Sequence, residues 1–573
     1  MNDRSPRSTR VPLSTPVPVA PRVPVGPTRR GFLLAAGGVG AALGLAACSG
    51  HSVSASGRPA ADTGAAPQRG GTLNLAFWAD LEGAFDPNQV YWIETRSLNR
   101  NFADSLTDQD PETGEIVPWL AESWTVNDEA SEYTFKLRQD VTFSDGSKFD
   151  AAAVKTAYDG IVALGADSTL GIVYLRGYQS STVLDEYTVK VAFDGPNAQF
   201  LQASSTTTLS ILSPDTYTKT PQQRAAGQVV GSGLFTLENF TAGQSVRLVR
   251  RKDYAWPSKL VKNQGAAYLD AIQVSYIADD SVRVGNLLAG DIDIAWPRLP
   301  ISQPDQQRIT AAGDSIVKRS LPGISDVILP NTTDGRPLSD LRVRQALNKA
   351  IDRAGYASTV FWTGYPVVAS PLESSTPGWA DESALLGYDL AGAQSLLEQA
   401  GWSTGADGYR YKDGRKLSLV YLLSSNTTGA QLLQDQVKAA GIDLQLQIVT
   451  AAQLDTLEAA GSYDVLDSYL TRGDASVLAS ILDLSVVKSA PGKNTQDAAT
   501  AKQVSAYFAE GLATVETAGR DAAYAALQKY VIEQGVALPV YERLQVSGLS
   551  SRLNGFAWTS EGFLRANDLW KAM

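Results

Sequence analysis

The chain of 573 residues sets 49 basic side chains against 60 acidic ones, for a formal charge of −11, with 44% apolar and 19% charged residues. That composition is globular, exceeds what one hydrophobic core supports, and is too acidic for a nucleic-acid partner or an anionic lipid surface. The single histidine, His51, and the single cysteine, Cys48, both lie near the N-terminus. Ser-His-Asp and Cys-His catalysis, histidine metal sites and intramolecular disulfides are thereby excluded from the body.

Residues 1–27 are basic and rich in Pro and Ser, the composition of a disordered segment. Arg29-Arg30-Gly31-Phe32-Leu33 then leads into a 17-residue uncharged run, 31–47, closing on Leu45-Ala46-Ala47-Cys48. A run this short, with this much Gly and Ala, is a poor membrane span but fits the apolar core of an export signal. Its end resembles the lipobox of bacterial lipoproteins, and its start resembles a twin-arginine leader. The resemblance implies cleavage of a signal peptide, 1–47, and a diacylglyceryl group on Cys48 that anchors the protein to the outer face of the cytoplasmic membrane. Two or three acyl chains, at roughly 0.8 kcal/mol per buried methylene, hold where a single chain does not. The alternative is a short N-terminal membrane helix with a chance cysteine. After cleavage 43 basic and 59 acidic residues remain, a charge of −16. Residues 48–69, rich in Ser, Gly, Ala and Pro, read as a flexible tether.

Order is expected from Gly70 through a strand ending at Phe77-Trp78, then a loop over 80–88. Tyr133, Phe135 and Leu137 alternate with polar residues, as do Tyr187, Val189, Val191 and Phe193, the period of half-buried strands. Between them Asp145-Gly146 marks a turn. Asp150 is placed to cap a helix with Val154, Ala157, Tyr158 and Ile161 on one face. Ser339 is expected to cap a helix striped by Val343, Leu347 and Ala350. Its Arg342, Arg344, Lys349 and Arg353 form a solvated or ion-paired face. Residues 416–450 read strand, helix, Gly441 stop, strand, a βαβ unit of a helix-covered sheet.

The run PWLAESWTVNDEASEYTFKLRQDVTFSDGSKFDAAAVKTAY, 118–158, resembles the signature region of the family 5 extracellular solute-binding proteins. These include oligopeptide-, dipeptide- and nickel-binding components of ABC importers. Matches follow in family order at Gly231-Ser232-Gly233-Leu234-Phe235, at Asp253-Tyr254-Ala255-Trp256, at 338–347, at Gly401-Trp402 and at Leu538-Pro539-Val540-Tyr541. The resemblance implies an α/β fold, a periplasmic-binding-protein type II clamshell of two lobes plus an extra small domain, with mixed sheets covered by helices. Domain I would gather 70–112, 228–330 and 540–573, domain II 113–227 and domain III 331–539. Two chain crossings would form the hinge, and ligand would sit in the cleft.

Three enzyme-like patterns fail on context. Gly401-Trp402-Ser403-Thr404-Gly405 matches a nucleophile elbow, but a helical stretch precedes it and no histidine is available. Ser485-Val486-Val487-Lys488 matches S-x-x-K, yet no K-T-G follows. The carboxylate pairs Asp279/Asp280 and Asp291/Asp293 read as turn residues rather than a glycosidase dyad. No G-x-x-x-x-G-K-[ST] occurs, so transport requires a separate ATPase and permease.

A solute cleft is lined mainly by apolar and aromatic surface with a few placed polar groups. The candidates are Phe77, Trp78 and Trp92 on one lobe, with Trp362 and Tyr365 on the other. The resemblance also implies an aspartate for a peptide's α-amino group, and its counterpart in 463–482 is Asp474. Arg472 beside it could instead pair with Asp474 or favour an anionic ligand. The reading is therefore a monomeric, lipid-anchored receptor, without cofactor or metal, that hands a small solute, foremost a short peptide, to an ABC permease. An extracytoplasmic serine or carboxylate hydrolase, or a clamshell sensor or chaperone without a transporter, are the alternatives.

Overall fold

The computed structural model describes residues 66–425, 427–484 and 497–572. Cys48, His51, Ser485 and Lys488 lie outside the described residues. Three sheets carry the architecture. The first has seven strands in the order Ser315–Ser320, Leu544–Leu549, Ile294–Trp296, Thr72–Phe77, Ala271–Tyr276, Ser245–Arg250 and Phe235–Thr241. Its central strand Thr72–Phe77 runs parallel to both neighbours, and the remaining pairs are antiparallel. Leu73, Leu75 and Phe77 point to one side, into the larger core, while Ala76 joins a separate cluster with Val284 and Ile309.

A four-stranded antiparallel sheet, Ala121–Val126, Glu132–Leu137, Thr188–Phe193 and Tyr178–Asp185, holds the two strands predicted from alternation as its central pair. The helix Ala151–Leu164 covers it, and the Asp150 carboxylate accepts from the Ala153 N–H as expected of an N-cap. The third sheet has five strands, Asp443–Ile448, Ser418–Leu423, Val465–Thr471, Gly323–Pro330 and Leu538–Tyr541. Ser418–Leu423 and Asp443–Ile448 are parallel across the helix Thr428–Lys438, which is the anticipated βαβ unit. Among the described residues no helix is long and apolar enough to cross a membrane.

The helix Leu341–Ala350 differs from expectation in two ways. Its cap is Asp340, not Ser339, because the longer carboxylate reaches the Arg342 N–H at 2.9 Å and pairs with the Arg342 side chain as well. Arg342 and Lys349 form surface ion pairs, but Arg344 and Arg353 are buried. Their guanidiniums donate to the Gln534 and Pro539 carbonyls at 2.8 and 2.7 Å, tying this helix and the next, Arg353–Val360, to a distant segment.

The chain crosses between the seven-stranded and five-stranded sheets twice, at Leu321-Pro322 and at Glu542-Arg543. The crossings lie side by side: the Leu321 N–H donates to the Arg543 carbonyl at 3.0 Å. Glu542 accepts from Ser320 Oγ at 2.6 Å and from the Ser374 N–H at 3.0 Å. Glu373 accepts from the Arg543 N–H at 3.0 Å and from its Nε at 2.8 Å. Burial and the nearby charge of Glu542 push the Glu373 carboxyl well up, opposed by Arg543. Gly323 follows the first crossing at φ +123°, and a Cβ there would meet the Leu470 carbonyl oxygen at 2.0 Å. Only glycine fits so close an approach.

Candidate ligand-binding cleft

The strand Val465–Thr471 builds the site because it is paired unequally. Along its length it is hydrogen-bonded to Gly323–Pro330, but on its other edge it meets Ser418–Leu423 only at Tyr421 and Val465. The two parallel strands then splay, and from Leu466 to Leu470 one edge of the backbone has no strand partner among the described residues. That edge lines a cavity of about 350 Å3 shared with Leu422, and closed from the other lobe by Tyr91, Leu170 and Val173. The carboxyl ends of parallel strands are where open α/β sheets place ligands, and this volume lies within the range of small-molecule sites. The lobes touch around it, with the Ala198 N–H donating to the Leu512 carbonyl at 2.8 Å and Arg96 Nη1 to that of Thr471 at 3.2 Å.

Near this edge an arginine is boxed by aromatic rings. The Arg298 guanidinium stands 5.1 Å from the Trp78 ring centre, 5.1 Å from that of Trp92 and 5.8 Å from that of Tyr469. Its Nη2 donates to the Tyr469 hydroxyl, and it makes no ion pair among the described residues. Carboxylates hold the box in place. Trp78 Nε1 donates to Glu94 Oε1 at 2.7 Å, and Glu82 accepts from the backbone N–H groups of Tyr91 and Trp92. Glu94 is 3% exposed and its second oxygen has no hydrogen-bond partner. Burial raises the carboxyls of both Glu82 and Glu94.

Asp467 lies two residues before Tyr469 and forms no ion pair among the described residues. Its surface is accessible, yet what it faces is the interior of the cleft, and the surrounding protein desolvates it and raises its pKa. Asp326, on the adjacent strand, is pushed well up by burial and then by the charge of Asp467.

The six residues nominated from sequence fall in four places. Trp78 and Trp92 come together around Arg298. Phe77 does not reach the cleft surface: it is 0% exposed and packs edge-on to Trp296 with ring centres 5.8 Å apart. Trp362 and Tyr365 meet edge-to-face at 4.8 Å, with Lys318 Nζ 4.9 Å over the Trp362 ring. Tyr365 is 4% exposed, and its hydroxyl donates to the Glu542 carbonyl at 2.7 Å, so it buttresses a crossing. Asp474 lies farther along the interlobe space, where a cavity of about 500 Å3 is lined by Gln109, Trp124, Asp474, Arg520 and Asp521. There its carboxylate accepts from Arg472 Nη2 at 3.1 Å and from the Ser476 N–H at 2.9 Å.

Sequence reasoning missed Arg298, Asp467 and Tyr469. The alternation of Asp467, Tyr469 and Thr471 along a strand of an otherwise apolar sheet was the available signal. The enzyme-like carboxylates are structural. Asp279 caps the helix Asp280–Ala289, Asp280 pairs with Arg283, and buried Asp293 accepts from Lys571 at 2.8 Å. Gly401, at φ +88°, ends the helix Leu390–Gln399. No group of three or more His, Cys, Asp or Glu among the described residues is arranged to hold a metal.

Residues 115–481 match the model of the bacterial extracellular solute-binding proteins, family 5. The glutathione-binding protein GsiB of Escherichia coli K12 is 25% identical over 477 residues, spanning 82% of this chain and 89% of that one. NikA from Brucella suis in complex with Fe(III)-EDTA superposes with a TM-score of 0.74 at 22% identity, covering 88% of this chain and all of that one. The oligopeptide-binding protein AppA from Bacillus subtilis, in complex with a nonapeptide, gives 0.70 at 21% identity over 89% of this chain and all of that one. The last two likenesses establish the fold, a type II periplasmic-binding-protein clamshell. With more than half of its length inside the family model, the chain belongs to family 5 of the bacterial extracellular solute-binding proteins, the solute-capturing components of ABC importers.

Proposed function

We propose that this receptor binds a short peptide or peptide-like solute in the cleft beside Val465–Thr471 and delivers it to an ABC permease, leaving the bonds of the solute intact. The observation that carries the reading is the strand edge at Leu466–Leu470, which lines the cavity without a strand partner. Such an edge offers main-chain donors and acceptors to an extended backbone, the β-augmentation mode of peptide recognition. Arg298 supplies donors for a carboxylate and Asp467 an acceptor for an ammonium, the two charged ends of a peptide. The rings of Trp78, Trp92 and Tyr469 supply apolar surface between them. The relative named for glutathione, a tripeptide-like molecule, and the neighbour solved with a nonapeptide support the same class of ligand.

Closure follows ligand only so far as the ligand prefers the closed form. The division into 70–112, 228–330 and 540–573, 113–227, and 331–539 is the working domain scheme. Attachment through lipid on Cys48 after removal of 1–47 rests on the lipobox-like Leu45-Ala46-Ala47-Cys48. Native mass spectrometry of the purified protein, followed by calorimetry with the solute found, tests the reading. The expected result is one peptide-like solute per chain, bound reversibly and released unchanged. Turnover of an ester or amide, with no saturable peptide binding, would overturn it.

A further inference from the structure

Arg472 stands where two compartments of the interlobe space meet. It lines the cavity beside Leu466–Leu470 and also a third cavity, of about 290 Å3, bounded by Asn197, Ser476 and Leu512. Val173, from the opposite lobe, is shared by the same two cavities. The third cavity in turn shares Gln199 and Tyr524 with the 500 Å3 cavity. The three chambers therefore follow one another along the lobe interface, and Arg472 and Val173 stand between the chamber beside Leu466–Leu470 and the 290 Å3 chamber. The arginine is fixed there. It is 1% exposed, its Nη2 is 3.1 Å from Asp474 Oδ2 and 3.4 Å from Ser476 Oγ, and its guanidinium lies 4.5 Å over the ring of buried Tyr174. A guanidinium held by a carboxylate, a hydroxyl and a ring face does not swing aside at little cost.

We propose that Arg472, braced by Asp474 and Tyr174, is a partition that sets the length of the ligand: it confines a peptide to the first chamber and shuts off the remaining space. This rests on the peptide reading above. The chamber beside the strand edge, at about 350 Å3, has room for a short chain only, and a longer chain must displace the partition to continue into the next chamber. Asp474 then serves the ligand indirectly, by holding the wall, and Arg472 is a positioning residue for specificity.

The test is calorimetric titration of the whole protein with alanine peptides from the dimer to the octamer. Wild type is expected to bind the tripeptide roughly tenfold or more tightly than the hexapeptide. The double variant Arg472→Ala/Asp474→Asn opens the wall without leaving an unpaired buried carboxylate, and asparagine retains the cap on the Ser476 N–H. Val173→Ala thins the same wall from the other lobe and leaves the ion pair alone. In both, the preference is expected to shrink to within about threefold. Wild type binding the hexapeptide as well as the tripeptide would overturn the partition, as would both variants keeping the preference while folded by circular dichroism. Wild type binding no peptide of any length would instead overturn the peptide reading, and the partition with it.

Discussion

Arg298, which touches Tyr469 of the first cavity's lining, and Arg472, which lines that cavity itself, are held in opposite ways. Arg472 finds its counter-charge two residues away, in Asp474, and disappears into the wall. Arg298 is held by two indole rings and a phenol and forms no ion pair among the described residues, its charge only partly offsetting the burial of the nearby Glu94 carboxyl. A charge neutralised within its own segment shapes a surface, whereas a charge held by ring faces keeps donors for an incoming group. The aspartate that the family resemblance selects is thus already paired, whereas Arg298, which no motif marks, forms no ion pair among the described residues.

The largest effect should come from breaking the engaged pair. Asp474→Ala strands a buried guanidinium and is expected to cost about 3–5 kcal/mol of stability, read as a lowered melting temperature. A melting temperature unchanged by this substitution would mean the pair is not buried in solution.

Next comes a buried carboxylate met only by neutral donors. Asp104 accepts from Trp256 Nε1 at 2.9 Å and Ser232 Oγ at 3.1 Å, and burial raises its pKa to about 6. A raised carboxyl favours the folded state at low pH, and that contribution is lost as pH rises from the ordinary carboxylate range through about 6. The full swing is about 3 kcal/mol. Thermal melts of wild type should therefore be higher at mildly acidic than at alkaline pH, and Asp104→Asn should flatten that slope. An unchanged slope would show that other groups set it.

Arg298→Ala should leave the melting temperature nearly in place and weaken peptide binding by about 1.5–3 kcal/mol, the value of a hydrogen bond to a charged group. If it lowers the melting temperature as far as Asp474→Ala does, the two arginines are alike and the contrast fails. Smallest is Tyr365→Phe, which removes the donor to the Glu542 carbonyl and should cost about 1 kcal/mol of stability without changing peptide affinity. A loss of affinity would return Tyr365 to the ligand surface.

Local patterns carried much of the fold. The strand periods at 132–137 and 188–193, the Asp150 cap and the parallel unit across Thr428–Lys438 all depend on residues close in sequence. Arg344 and Arg353 did not read as buried, because the carbonyls that accept from them lie nearly 190 residues downstream. The cleft was hidden for the same reason: Arg298 and Tyr469 are 171 positions apart and lie on either side of the crossing at Leu321-Pro322. Trp78 and Trp92 were nominated as conspicuous aromatic residues at the end of the first strand and in the segment after it, and the structure brings both against Arg298. Phe77, next in line, faces the core because strand side chains alternate.

Amide hydrogen exchange with and without a bound tripeptide reads the backbone edge at Leu466–Leu470 itself. The account predicts slowed exchange within Leu466–Leu470 on ligand addition, with the amide of Ser476, already bonded to Asp474, unchanged. Protection confined to some other surface, with the Leu466–Leu470 amides exchanging as before, would contradict it.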